Sequence, residues 1–384
     1  MYIAVPREIL PGEKRVAMLP DTVQKLVGAG HAVGVEAGAG QGVLADDGAY
    51  EQAGAEIVTD ARTLYDRADV VLKVKQPHFD GRAGAHEAEQ LRPGSVLVTF
   101  LHPANPSNHE MVKTLAQRDI TAFTMDGIPR TSRAQSMDAL TSMSTVTGYK
   151  SVIMAADSLP KFVPMIGTAI GMVKPATFLM VGAGVVGLQA IATAKRLGGV
   201  VKCVDVRAEA REAARSLGAT VDGFEAPDGL VLAPGGYARA LPEEWLQKER
   251  EFLQPLVAAA DVVILSALVP GEVAPVLVTQ SMLQSMTPGS VIVDVAVDQG
   301  GNCALTRAGE TYDHEGVRVI GVQNIPGSVP VHASWLYANN LLNYLNNLFK
   351  NGAIDWEDDI VRATLVTHQG QIVHAGARKA MGLA

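Results

Sequence analysis

Val181-Gly182-Ala183-Gly184-Val185-Val186-Gly187 is the stretch that decides the fold. It is a GxGxxG run that directly follows the apolar, strand-like Ala176 to Val181 and directly precedes a helical stretch, Leu188 to Leu197. Gly182 permits the tight turn, Gly184 lets a pyrophosphate approach the backbone, and Gly187 lets helix and strand pack closely. The phosphate charge then sits at the helix N-terminus. An acid is expected at the end of the next strand, and Val204-Asp205-Val206-Arg207 supplies Asp205. A carboxylate there accepts hydrogen bonds from ribose hydroxyls and repels a 2′-phosphate, so the motif reads as NAD-binding rather than NADP-binding. Arg207 reads as solvated or lying against the adenine.

Working outward, short β-branched runs alternate with helical stretches, the pattern of α/β domains with parallel sheets. One block holds strands at Ile3 to Val5, Ala32 to Glu36, Val70 to Val74, Ser95 to Phe100 and Thr121 to Phe123. The second holds the fingerprint strand, then Val200 to Val204, Asp261 to Leu265, Ser290 to Ala296 and Val317 to Gly321. The fold class expected is two Rossmann-like domains with parallel sheets flanking a nucleotide-binding cleft and joined by long helices. The domains expected are 1–140 completed by 332–384, and 141–331. Met137 to Ala156 and Ala333 to Phe349 are the joining helices, the latter with Trp335, Ala338, Leu342, Leu345 and Phe349 on one face. Its asparagines, Asn339, Asn340, Asn343, Asn346 and Asn347, read as a polar domain or subunit interface. The loops Ser266-Ala267-Leu268-Val269-Pro270-Gly271 and Asp298-Gln299-Gly300-Gly301-Asn302 follow strands and are expected to cover the cofactor.

Composition narrows the function. The 384 residues carry 32 Lys+Arg against 40 Asp+Glu, a net charge of −8, and only 5% aromatic residues, which argues against a nucleic-acid surface. The apolar runs are broken by Gly or Asp and fall short of the roughly 20 residues that span a bilayer. Cys203 and Cys303 form neither a disulfide framework nor a metal spacing, so no metal is expected and a cytoplasmic location is.

Three stretches together carry a family signature: Pro129-Arg130-Thr131-Ser132-Arg133-Ala134-Gln135-Ser136-Met137-Asp138-Ala139-Leu140, the run Gly184 to Gly198, and Gly235-Gly236-Tyr237-Ala238-Arg239. With them the chain resembles, essentially end to end, the NAD(H)-binding component of proton-translocating nicotinamide nucleotide transhydrogenase. The resemblance implies a homodimer in which NAD(H) sits between two domains. It also implies hydride transfer to NADP(H) on a separate partner component, with a membrane component coupling transfer to proton movement. The chain would then be peripheral to the inner membrane through its partner subunits. Position by position, the resemblance has Arg130 and Asp138 orient the nicotinamide carboxamide and Gln135 reach toward the partner's nicotinamide ribose. Thr141 stands where the family usually has serine, and Tyr237 lies on a mobile loop that closes over the nucleotide. Gly182, Gly184, Val185, Val186, Gly187, Asp205, Val206, Arg207, Ser266 and Leu268 complete the expected NAD contacts.

The chain also resembles alanine dehydrogenase, whose pocket uses an arginine, a lysine, a histidine and an aspartate. Arg15, Lys75, His102 and Asp298 match them, and the lysine, the histidine and Asp298 are departures from the transhydrogenase pattern, which commonly keeps only the arginine. In a self-sufficient amino-acid dehydrogenase, Arg15 and Lys75 would bind a carboxylate and polarise a keto oxygen. His102 or Asp298 would move protons.

Overall fold

The computed structural model describes all residues except 233–238, 270–272 and 384, and the Asp228 side chain. The chain folds as two compact units, Met1–Met143 with Pro326–Ala384, and Ser144–Ile325. The long helix Ala139–Ser158 contains the first crossing point, whereas the helix Pro330–Leu348 lies wholly in unit 1.

In unit 1, β1 (Tyr2–Val5), β2 (Ala32–Glu36), β3 (Glu56–Val58), β4 (Val70–Leu72), β5 (Val96–Thr99) and β6 (Thr121–Thr124) pair all-parallel in the order 3-2-1-4-5-6. This is a doubly wound sheet whose direction of growth reverses between β1 and β4. β4, β5 and β6 are buried along their whole length, as strands covered by helices on both faces must be.

Unit 2 repeats the plan with β7 (Thr177–Val181), β8 (Val200–Val204), β9 (Thr220–Val221), β10 (Val262–Leu265), β11 (Val291–Asp294), β12 (Thr311–His314) and β13 (Val317–Ile320). The order is 9-8-7-10-11-13-12, antiparallel only between the last two. Its two apolar layers lie on opposite faces of the sheet: Phe178 and Met180 face one way, Leu179 and Val181 the other. A separate antiparallel hairpin pairs Ile166–Thr168 with Gly171–Val173 and leaves Ile170 99% and Met172 73% exposed.

The tail returns to unit 1. β14 (Leu365–His368) pairs antiparallel with β6, and β15 (Gln371–Ile372) extends the edge. Thr367 sends its hydroxyl to the Ile120 carbonyl, 2.7 Å away, which anchors the return.

The helix Pro330–Leu348 keeps part of the expected face, with Ala338 and Leu345 buried, and corrects the rest. Its buried side carries Tyr337, Leu341, Tyr344 and Leu348, while Trp335 is 52% exposed. Both tyrosines are buried because their hydroxyls find partners, Tyr337 on the Lys73 carbonyl at 2.8 Å and Tyr344 with Thr364 Oγ1 at 2.6 Å. Hydrophobic periodicity alone ranks Trp335 above a tyrosine and so misplaces one edge of the buried face.

Candidate functional site

In unit 2 the glycine turn sits where β7, the central strand, feeds the helix Val185–Arg196. Gly182 has φ +93°, open to glycine without strain. A Cβ on Gly187 would lie 1.9 Å from the Gly182 carbonyl oxygen, whereas one on Gly184 would meet nothing within 4 Å among the described residues. The turn is therefore closed from below and open from above. Among the described residues no side chain caps the helix at Gly184, which leaves its first N–H groups to an anion. These features fit a pyrophosphate.

Asp205, at the end of β8, is buried and fully engaged. One oxygen accepts from Ala183 N–H at 2.7 Å and from Arg207 Nη2 at 2.9 Å, the other from Arg207 N–H at 2.8 Å and Nε at 3.1 Å. The Arg207 side chain thus folds back on Asp205. The short two-residue separation and the charge-assisted geometry favour that closure. Val206 is half-buried beside it.

Ser266, after β10, donates to the Gly182 carbonyl at 3.1 Å and so packs the following loop onto the turn. Asn302, fully buried, holds that loop: its Oδ1 accepts from Ala267 N–H at 3.0 Å and its Nδ2 donates to the Ala267 carbonyl at 2.9 Å. Asp294 in turn accepts from the Asn302 and Cys303 N–H groups. Leu268 is half-buried, and Tyr237 lies outside the described residues.

Sequence reasoning missed Glu249, on the helix Glu243–Ala258, because the surrounding charged run reads as a solvated face. It is only 6% exposed. Burial and then the Asp205 charge, opposed by Arg250, push its carboxyl up to about 7. The folded value lies above the ordinary 4.5. The native chain therefore holds a proton that the unfolded chain releases, and stability falls as pH rises from 4.5 through 7. Glu249→Gln is expected to be near neutral at pH 4.5 and to stabilise by about 2–3 kcal/mol at pH 8, measured by urea unfolding. Equal effects at both pH values would contradict this.

In unit 1, residues 132–137 form a 3-10 turn, with Ala134 and Met137 buried and Gln135 exposed. Asp138 caps the helix that follows, accepting from Thr141 N–H at 2.8 Å and Thr141 Oγ1 at 2.6 Å. Arg130 is exposed at the entrance to the turn.

The second set is split by the division into units. Arg15, Lys75 and His102 lie in unit 1, beyond β1, β4 and β5 respectively, and Asp298 lies in unit 2. Arg15 is buried and held by Glu13, with Nε 2.8 Å from Oε1 and Nη2 2.5 Å from Oε2. His102, at φ +45°, places Nδ1 2.8 Å from Asp126 Oδ2. Asp298 is exposed and accepts from Gln323 Nε2 at 2.7 Å.

Also missed was Lys73, which is 1% exposed. Its ammonium lies 2.8 Å from Glu87 and 3.5 Å from Glu8, Tyr65 donates to Glu87 at 2.8 Å, and Glu8 accepts from the Val74 and Lys75 N–H groups. This cluster occupies the point where unit 1's sheet reverses, the position that the glycine turn holds in unit 2. Among the described residues no group of three or more His, Cys, Asp or Glu could hold a metal. Burial pushes the Cys203 thiol up to about 12, so it is no nucleophile.

A glycine turn after the central strand, an uncapped helix N-terminus and an acid ending the next strand define a dinucleotide-binding α/β protein. The chain belongs to the alanine dehydrogenase/PNT family: the model of its N-terminal domain matches residues 4–147 and that of its C-terminal domain residues 151–375. An NAD(P) transhydrogenase subunit alpha protein of Rhodospirillum rubrum is 45% identical over 97% of this chain and 98% of its own length. The alanine dehydrogenase of Bacillus subtilis is 33% identical over 100% and 95%. A transhydrogenase structure from Sinorhizobium meliloti superposes with a TM-score of 0.85 at 40% identity, covering 97% of this chain and 100% of that one. The family is one of oxidoreductases, and NAD(H) is the cofactor of this chain.

Proposed function

We propose that this chain is the NAD(H)-binding component of a proton-translocating NAD(P) transhydrogenase, passing hydride to or from NADP(H) on a partner component. The carrying observation is the 45% identity to a transhydrogenase subunit alpha protein over 98% of that protein. Bound NAD(H) supplies the hydride. Transfer between two nicotinamide rings needs close apposition and no acid or base, so the residues of this chain act by positioning. Gly182, Gly184 and Gly187 seat the pyrophosphate against Val185 and Val186. Asp205 binds the ribose hydroxyls once Arg207 swings off it, Val206 flanks it, and Ser266 and Leu268 line the far side. Arg130 and Asp138 orient the carboxamide, Gln135 faces the partner's nucleotide, and Tyr237 closes over the cofactor.

The apolar hairpin at residues 166–173 supports a homodimer, because Ile170 and Met172 stand exposed on a separate two-stranded element. No described helix is long and apolar enough to cross a membrane. The proton path is accordingly assigned to a membrane subunit, with this chain peripheral to the inner membrane through it.

The test mixes the purified chain with an NADP-binding transhydrogenase component and follows reduction of an NADP analogue by NADH. Transfer only in the mixture is expected. NADH oxidation by the chain alone with a keto acid and ammonia would overturn the reading.

That outcome would favour an alanine-dehydrogenase-like enzyme. The observation behind this second reading is the His102–Asp126 pair, held in a left-handed backbone conformation that non-glycine residues rarely adopt. Arg15 and Lys75 would then bind the substrate and Asp298 would assist proton movement. His102→Ala would abolish keto-acid turnover.

A further inference from the structure

The asparagines of the helix Pro330–Leu348 serve a site that lies far from them in sequence. Asn340 Nδ2 and Asn343 Nδ2 both donate to one acceptor, the Ser136 carbonyl, at 2.9 and 3.2 Å. One turn further along, Asn347 Oδ1 accepts from Arg133 Nη1 at 3.2 Å, and Asn347 Nδ2 donates to Asp358 Oδ1 at 3.1 Å. Arg133 Nη1 also donates to Asp358 Oδ2 at 2.6 Å, and Arg133 Nη2 pairs with Asp359. Asp358 is itself the cap of the helix Asp359–Thr364, accepting from the Ile360 and Val361 N–H groups.

Residues 340, 343 and 347 follow the i, i+3, i+7 spacing of a single helix face. Asparagine disfavours helix interiors, so three on one face need an offsetting contact, and the 132–137 turn supplies it. The turn pairs with no strand; Ala134 and Met137 pack inward and the amides hold it from the side. Fixing the Ser136 carbonyl fixes the peptide plane adjoining it, and fixing Arg133 constrains the chain two residues before Gln135. Burial pushes the Asp358 carboxyl up. The hydrogen bonds from Arg133, Asn347, Val361 and Ile360 outweigh this and hold it down at about 2, so the clamp stays charged across the neutral range.

We infer that Asn340 and Asn343, together with the Arg133–Asp358 pair, are positioning residues that set the pose of Gln135 for ring-to-ring hydride transfer. The inference rests on the transhydrogenase reading. It assigns the asparagine face to a contact inside unit 1 in place of the domain or subunit interface expected from sequence.

The experiment uses the full chain with its NADP-binding partner component. Asn340→Ala/Asn343→Ala is expected to lower kcat for transfer by about tenfold to a hundredfold, the scale on which small misplacements act. NADH affinity and Tm are expected to stay near wild type. Asn343→Ala alone should give a smaller loss, since Asn343 is exposed and Asn340 still holds the carbonyl. The control is Asn339→Ala, whose amide donates within its own helix, to the Trp335 carbonyl at 2.8 Å, and which should transfer hydride normally.

Loss no greater than in the control overturns the inference. So does a collapse of Tm or NADH affinity in step with kcat in both Asn343→Ala and the double variant, because that is the mark of a merely structural contact. A wild-type chain that transfers no hydride in the mixture overturns the transhydrogenase reading itself, and the inference with it.

Discussion

Gly187→Ala is expected to abolish NADH binding and to destabilise unit 2 by about 3 kcal/mol, the upper end for an overpacked site whose backbone must move. The added Cβ would stand 1.9 Å from the Gly182 carbonyl oxygen and 2.9 Å from its carbon. Neither neighbour is a flexible side chain. Gly182 is also gripped by Ser266 Oγ, so the strain spreads into the loop after β10. Gly184→Ala separates folding from binding: its Cβ enters open space and φ is −74°, so the chain should fold normally while NADH affinity falls sharply. NADH titration by fluorescence and urea unfolding of both variants make the comparison. Wild-type affinity in Gly187→Ala would remove the glycine turn from the cofactor site.

Lys73→Met is expected to destabilise by about 3–5 kcal/mol, the range for removing one partner of a buried ion pair. Glu8 and Glu87 would be left 3% exposed beside each other with no cation between them. Burial pushes the Lys73 ammonium down, but the charges of Glu8 and Glu87 outweigh it and hold it above its ordinary value. Burial pushes the Glu8 carboxyl up, against the Lys73 charge. The loss should shrink greatly in Lys73→Met/Glu8→Gln/Glu87→Gln, which removes the unpaired charges and keeps hydrogen-bonding oxygens for Tyr65, Val74 and Lys75. Thermal or urea unfolding of the single and triple variants tests this, and equal loss in both would show that charge pairing is not what Lys73 supplies. The cluster also matters for the second functional reading, because Glu8 fixes the backbone that carries Lys75.

Features whose parts adjoin along the chain were legible in the sequence. Strand, glycine turn and helix from Thr177 to Arg196 are contiguous, and the Gly187 approach to the Gly182 carbonyl lies within five residues of chain, whereas the Ser266 contact with Gly182 spans 84. Asp205 was legible in place but not in state, since nothing in the spacing shows that the Arg207 side chain turns back onto it. Glu249 and Lys73 were hidden for a common reason: a charge in a short charged or strand-end run reads as solvated until packing buries it. The asparagine run was visible as an oddity without a purpose, because its acceptor is more than 200 residues away.

The sequence by itself determined the two α/β units, the dinucleotide turn with its acid, and the family, because local turn chemistry and hydrophobic periodicity are encoded within short windows. Tertiary structure alone decided that the helix Pro330–Leu348 buries Tyr337 and Tyr344 and not Trp335, that Arg207 covers Asp205, that Lys73 is locked between Glu8 and Glu87, and that the asparagines hold the turn bearing Gln135. Each of these depends on a polar group exchanging water for a partner, mostly one from a distant stretch of the chain. That exchange depends on burial and geometry, which no single stretch of sequence carries.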